Sequence, residues 1–255
     1  MKALADSALN VSDLILGKAG WRCHFFGQVH STNDIAKMLP AWSAVVASVQ
    51  TGGRGRFARK FFSDEGGLYL SAVLPCESAA IHWVGFSLAA GLAVLEAIFR
   101  IGVRQARLRW PNDLMAGSRK FGGILVEQIP SQRICVGIGL NVTNAPWLAD
   151  PSLEDKTCRL ADMLEPVPEI SLLVEQLLDC LADEHEYFKQ FGMPGVIGRL
   201  NPIWERRRVY LDLGDAGFSE GVFDGLNENG DLLLLDGLNR RVVVPHVQVR
   251  QLVEM

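Results

Sequence analysis

The sequence predicts an α/β (α+β) fold: a mixed β-sheet domain flanked by helices, followed by a small β-barrel. Three observations carry this. Strand-like and helix-like segments intermix over the first 200 residues. After Pro202 the chain becomes short apolar runs separated by Gly214-Asp215, Asn229-Gly230 and Asp236-Gly237. Asn-Gly between apolar runs is a strong hairpin signal, because both residues tolerate positive φ. Finally, 255 residues without a repeat or low-complexity tract suit one large domain with a small appendix. A boundary near residues 201–205 gives domains 1–203 and 204–255.

Within the first domain, residues 22–28 read as a strand and 32–38 as a short helix closed by Pro40. Residues 44–50, a run of small and β-branched side chains, fit a buried strand. A Gly- and Arg-rich loop occupies 51–60, and 68–74 form the next strand. The apolar stretch 81–101 reads as a buried helix; His82, Gly85, Ser87, Gly91 and Glu96 interrupt it too often for a membrane span. Strands are expected at 106–110, 121–128 and 133–142, with turns at Gly117-Ser118 and Pro130-Ser131. Residues 170–191 have helical spacing.

A net charge of -4 gives no global pull toward nucleic acid or an anionic membrane. Arg206-Arg207-Arg208 reads as a solvated patch at the domain junction. The five cysteines are odd in number and none forms a C-x-x-C pair, so free thiols in a reducing cytoplasm are expected rather than disulfides or a zinc site. No histidine pair has metal-ligand spacing, so no metal ligands are assigned. The first twenty residues lack a long apolar core, and no signal peptide is expected.

Five segments offer chemistry. In Gln50-Thr51-Gly52-Gly53-Arg54-Gly55-Arg56-Phe57-Ala58-Arg59, glycines allow close backbone approach. The interleaved arginines present planar donors to phosphate or carboxylate. Hydrogen bonds to charged groups contribute roughly 1.5–3 kcal/mol each. A solvated turn is the plain alternative. Gly53-x-Gly55-x-x-Ala58 also fits a dinucleotide fingerprint, but the few residues before the next strand leave no room for a crossover helix. Arg109-Trp110-Pro111-Asn112-Asp113 ends a strand in a polar pair; an Asx turn is the bland reading. The functional one gives Asn112 an adenine or ribose contact and Asp113 an electrostatic or metal role. Lys120 stands at the mouth of an apolar strand beside Gly122-Gly123, able to point into a cleft as a compact charge. Ser31-Thr32-Asn33-Asp34 is a good helix N-cap that can also present hydroxyl and amide groups. Gly137-Ile138-Gly139-Leu140-Asn141-Val142 ends a strand with an amide.

In this order and spacing, these segments together with Leu68-Tyr69-Leu70-Ser71 resemble the biotin protein ligases, over residues 23–145. The C-terminal piece resembles their SH3-like barrel. The resemblance implies that biotin's carboxylate attacks the α-phosphate of ATP, accompanied by Mg²⁺, to give biotinyl-adenylate. A lysine of a carboxylase's biotin carboxyl carrier domain then attacks the activated carbonyl. It assigns biotin binding to Ser31, Thr32, Asn33, Gln50, Arg54, Gly55, Arg56, Lys120 and Gly123. Nucleotide binding falls to Arg56, Arg59, Trp110, Asn112, Asp113 and Asn141, and catalysis to Lys120, Arg56 and Asp113. Arg54 and Arg56 would close over carboxylate and phosphate, and Lys120 would neutralise charge developing there. Three positions depart from the pattern. Ala58 replaces a glycine, Phe61 a tryptophan and Arg109 a lysine. About thirty residues precede Ser31, too few for the DNA-binding domain of some relatives, so no nucleic-acid or membrane partner is expected. A homodimer remains open, since relatives use an exposed sheet edge for self-association or acceptor docking. A lipoate or other acyl ligase of the same superfamily, and a non-catalytic biotin sensor, are the alternatives.

Overall fold

The computed structural model describes residues 12–76 and 85–255. Two compact units divide inside the last long helix, after His185. In the first, strands β1 (Ser12–Leu16), β2 (Trp21–Val29), β3 (Ser43–Gln50), β4 (Gly67–Pro75), β5 (Ala106–Arg109), β6 (Asp113–Ala116), β7 (Arg119–Ile129) and β8 (Arg133–Asn141) form one sheet. Their order is β1-β2-β3-β4-β8-β7-β6-β5. Only β2 and β3 run parallel; the sheet is mixed, as expected.

The parallel β2–β3 pair is possible because helix α1 (Thr32–Ala36) and the turn after it carry the chain back across one sheet face. Ala36, Ile35 and Leu39 pack there on Val45 of β3, Val73 of β4, Cys135 of β8 and Ile129 of β7. Burying this small apolar face holds a helix of one turn and a half, which alone could not persist in water. Helix α2 (Phe86–Arg100) buries its Phe86, Ala90, Val94 and Ile98 side. Gly102, at φ +105, ends it in the left-handed conformation suited to glycine. Residues 81–84, where this helix was expected to begin, lie outside the described residues. Helix α3 (Ile170–Leu200) is interrupted at Gly192 (φ +61), two residues before Pro194.

The second unit carries strands β9 (Arg208–Asp212), β10 (Phe218–Leu226), β11 (Leu232–Leu235), β12 (Arg241–Val244) and β13 (Gln251–Glu254). All pairs are antiparallel, in the order β12-β11-β10-β9-β13. The Asn229-Gly230 turn joins β10 to β11, with Gly230 at φ +81. Leu211, Leu226, Leu232, Leu234 and Val249 form its core. β12 and β13 are its two edges and do not pair with each other, so the expected barrel is an open five-stranded sheet by hydrogen bonding.

Candidate active site

Sheet register creates a floor without side chains. Tyr69 of β4 faces Gly139 of β8, Gly139 faces Gly123 of β7, and Gly123 faces Asp113 of β6. Two other groups occupy the space over the adjacent glycines. A Cβ on Gly139 would stand 2.6 Å from the Phe61 ring, and one on Gly123 would stand 3.2 Å from Lys120 Nζ. Gly137, two residues from Gly139 and hence on the same face, likewise lies beneath the Asn33 amide. The glycines therefore bring α1, the loop and Lys120 onto one face of the sheet.

At one end of this floor Ser31 precedes α1 in extended conformation. Its buried hydroxyl makes no capping hydrogen bond. Thr32 donates to Gln50 Oε1 through its backbone N (2.9 Å) and Oγ1 (3.0 Å), and Gln50 Nε2 donates to Ser63 Oγ (3.0 Å). Ser71 Oγ lies 2.7 Å from Thr32 Oγ1 and 2.5 Å from Asn33 Oδ1, with one proton to serve both.

The Gly-Arg segment is an irregular hairpin. Gln50 pairs with Ser63 and Arg54 with Lys60, while Phe61 N bonds Gly53 O and Gly55 N bonds Arg59 O. Its tip is Arg56-Phe57-Ala58, with Phe57 and Ala58 both at φ +55. Left-handed backbone disfavours side chains, so Ala58 stands in a conformation better suited to the glycine that the sequence resemblance implies there. Arg56 lies over the Phe57 ring at 5.0 Å. Burial lowers its pKa from the ordinary arginine value, and the nearby Asp113 carboxylate opposes this. Arg59 is exposed. Arg54 bonds both carboxylate oxygens of Asp34, at 2.6 and 3.1 Å.

Asp113 opens β6 and is largely buried between two cations: Lys120 Nζ at 2.5 Å from Oδ1 and Arg109 at 2.7 Å from Oδ2. Burial acts to raise its pKa, but Lys120 and Arg109 together hold it below the ordinary carboxylate value. Arg109 and Asp113 face each other across the β5–β6 hairpin, so the arginine replacing the usual lysine is used as a cross-strand partner. Trp110 is buried, and Asn112 Nδ2 donates to Ile124 O (2.6 Å). Asn141 Nδ2 donates to Cys158 O (3.2 Å), and Asn144 Nδ2 reaches Asn141 Oδ1 (3.4 Å). Both asparagines thus clamp strand ends.

All five cysteines are buried and free. Burial pushes Cys135 up to about 12 and Cys23 and Cys180 up to about 11, so these remain thiols and supply no nucleophile. Among the described residues no group of three or more His, Cys, Asp or Glu side chains could hold a metal ion. Ser63, Ser71 and Glu127, which carry hydrogen bonds of this network, are not among the residues the sequence points to. Glu127, the one charge at the end of an apolar run, was the visible signal for its own placement.

Residues 26–141 match the Biotin/lipoate A/B protein ligase family. The bifunctional ligase/repressor BirA of Escherichia coli is 31% identical over 230 residues, covering 81% of this chain and 67% of that protein. The biotin–[acetyl-CoA-carboxylase] ligase of Paracoccus denitrificans is 29% identical over 237 residues, 84% of this chain and 94% of that one. A biotin protein ligase from Aquifex aeolicus, solved with biotin and ATP, superposes with a TM-score of 0.79 at 27% identity, covering 91% of this chain and 99% of that chain. The chain therefore belongs to the Biotin/lipoate A/B protein ligase family, in its biotin protein ligase branch.

Proposed function

We infer that this protein activates biotin with ATP as biotinyl-5′-adenylate and transfers the biotinyl group to a lysine of a biotin carboxyl carrier domain of a carboxylase. The observation that carries the chemistry is the Lys120–Asp113–Arg109 group beside Gly123. In the first step a carboxylate oxygen of biotin attacks the α-phosphorus, and pyrophosphate leaves. Negative charge accumulates on the phosphoryl oxygens. Lys120 supplies a compact positive charge there, and the largely buried Asp113 keeps that ammonium aimed. Arg56, at the tip of the hairpin, pairs with carboxylate and phosphate and excludes water from the mixed anhydride. In the second step the acceptor amine attacks the carbonyl and AMP leaves.

Ser31, Thr32, Asn33 and Gln50 frame the polar end of biotin; Gly55 and Gly123 let chain and ligand approach closely. Arg54 anchors the hairpin beside them. Trp110, Asn112, Asn141 and Arg59 belong to the nucleotide end, where Mg²⁺ arrives with ATP. Five buried free thiols support a reducing, cytoplasmic setting. Among the described residues no helix is long and apolar enough to cross a membrane. Functional division at 1–203 and 204–255 is proposed on the change in sequence character after Pro202.

Pyrophosphate–ATP exchange with purified protein and Mg²⁺ tests the activation step. Biotin should stimulate exchange and lipoate should not. Exchange with lipoate alone would move the protein to the sister lipoate ligases, and tight biotin binding without exchange would make it a sensor.

A further inference from the structure

Glu127, near the end of β7, has no part in the chemistry described so far, yet its carboxylate is where two substrate-facing elements meet. Oε2 accepts from Asn33 Nδ2 at 2.6 Å and Oε1 binds Lys37 Nζ at 2.7 Å, both from α1 and the residue after it. Arg54, just behind the tip of the Gly-Arg hairpin, approaches Oε2 at 3.4 Å. Asp34 closes the ring by holding the same guanidinium at 2.6 Å. Two carboxylates and two cations balance, so the cluster sits partly buried with no net charge. Each pair, about a quarter or more exposed to solvent, contributes little stability by itself. Its value lies in geometry. Asn33 also bonds Ser71, which touches Thr32, so Glu127 reaches the biotin end of the site through one hydrogen bond and the loop through one ion pair. Arg54 lies just behind the hairpin tip, its backbone bridged to Lys60; fixing it sets the direction of the tip that carries Arg56.

We propose that Glu127 is a positioning residue that couples seating of biotin at Ser31–Asn33 to closure of the Gly-Arg hairpin over the adenylate. This rests on the biotin ligase reading. It contacts no reacting atom. Its loss should therefore weaken biotin capture and adenylate retention together, while the nucleotide contacts outside the hairpin, Trp110, Asn112 and Asn141, are little affected.

The test uses the full chain with Glu127→Gln, which keeps an acceptor for Asn33 but removes the charge that Lys37 and Arg54 need. Arg54→Gln and the double variant are made beside it. Biotin-dependent pyrophosphate exchange gives the KM for biotin and for ATP; release of preformed biotinyl-adenylate gives the dissociation rate. For Glu127→Gln we expect the biotin KM and the dissociation rate each to rise about tenfold, with the ATP KM within about twofold. The double variant should be no worse than the more damaged single one, because the two residues act as one unit. An unchanged dissociation rate in Glu127→Gln, or effects that multiply in the double variant, would overturn the coupling. Should Glu127→Gln fail to fold, Lys37→Met carries the test: Lys37 holds Glu127 and is assigned no substrate contact, so its loss must raise the adenylate dissociation rate, and an unaltered rate overturns the coupling. A parent chain without biotin-dependent exchange would instead contradict the ligase reading, and the coupling with it.

Discussion

Lys120 stands a third exposed, 2.5 Å from Asp113, so its charge is available to a ligand while its direction is fixed. Lys120→Ala should cut the rate of biotin-dependent exchange by about 10²–10³-fold. The free energy of unfolding should fall by about 1–3 kcal/mol without loss of the fold, since the largely buried Asp113 loses one of its two cations and keeps Arg109. Normal exchange would remove Lys120 from the mechanism. Arg56→Ala should raise the dissociation rate of the adenylate with little change in unfolding, checked by stopped-flow release. At Ala58 the left-handed backbone costs about 1–2 kcal/mol, against about 0.4–1 kcal/mol for the extra freedom of glycine in the unfolded chain. Ala58→Gly should therefore stabilise the protein slightly, by under about 1 kcal/mol in a urea titration. The charged cluster predicts a pH effect. The Arg54 hydrogen bond, with Lys37 and His30 nearby, holds the Asp34 carboxyl below its ordinary value of 3.8. Burial would raise Glu127, but Lys37, Asn33 and Arg54 hold it below its ordinary 4.5. A depressed folded-state pKa stabilises above the ordinary value and loses its effect as pH falls through the folded one. Stability should thus fall as pH drops below about 4.5, and the fall should be smaller in Glu127→Gln; identical acid profiles would contradict this. At this scale the charged residues of the loop and strand ends were legible, because glycines and arginines interleaved on a short loop have few structural uses. Their internal partners were not. Nothing in the sequence says that Arg54 meets Asp34 and Glu127, a pairing fixed by tertiary placement over 20 and 73 residues of separation.

Among the elements, the long strands followed from apolar and β-branched runs, and the two long helices from an apolar run and from helical spacing, the second running past the expected residue 191 to Leu200. Two short strands did not. β6 is four residues with one apolar run of three, and it is a strand because β5 and β7 hydrogen-bond it from both sides. β1 begins beside residues outside those described and, among the described strands, pairs with β2 alone. The glycines of β7 and β8 were read as allowing close approach, and the register shows what approaches: Phe61 and Lys120. Gly139→Ala should therefore force the Phe61 ring aside, costing about 1–3 kcal/mol and most of the exchange activity. Gly27→Ala on β2, where a Cβ meets nothing within 4 Å, is the control. Equal behaviour of the two would show that the floor is not tightly packed. The expected barrel illustrates the opposite limit. Turn chemistry announced each hairpin, but whether the edge strands β12 and β13 close onto each other depends on side-chain packing that turns do not encode.

For the whole molecule, ligand linkage separates the readings. A protein that makes and keeps biotinyl-adenylate should be stabilised by biotin plus MgATP far more than by either alone. At 100 times the dissociation constant the gain is about 2.7 kcal/mol, or roughly 5–10 °C for a chain of this size. Lipoate with MgATP should give no such shift. The most direct test is to incubate the protein with biotin, MgATP and a biotin carboxyl carrier domain, and to measure the carrier's intact mass. Addition of one biotinyl group, dependent on ATP and lost in Lys120→Ala, is the predicted result; a carrier of unchanged mass, with the protein folded and substrates in excess, would contradict the account.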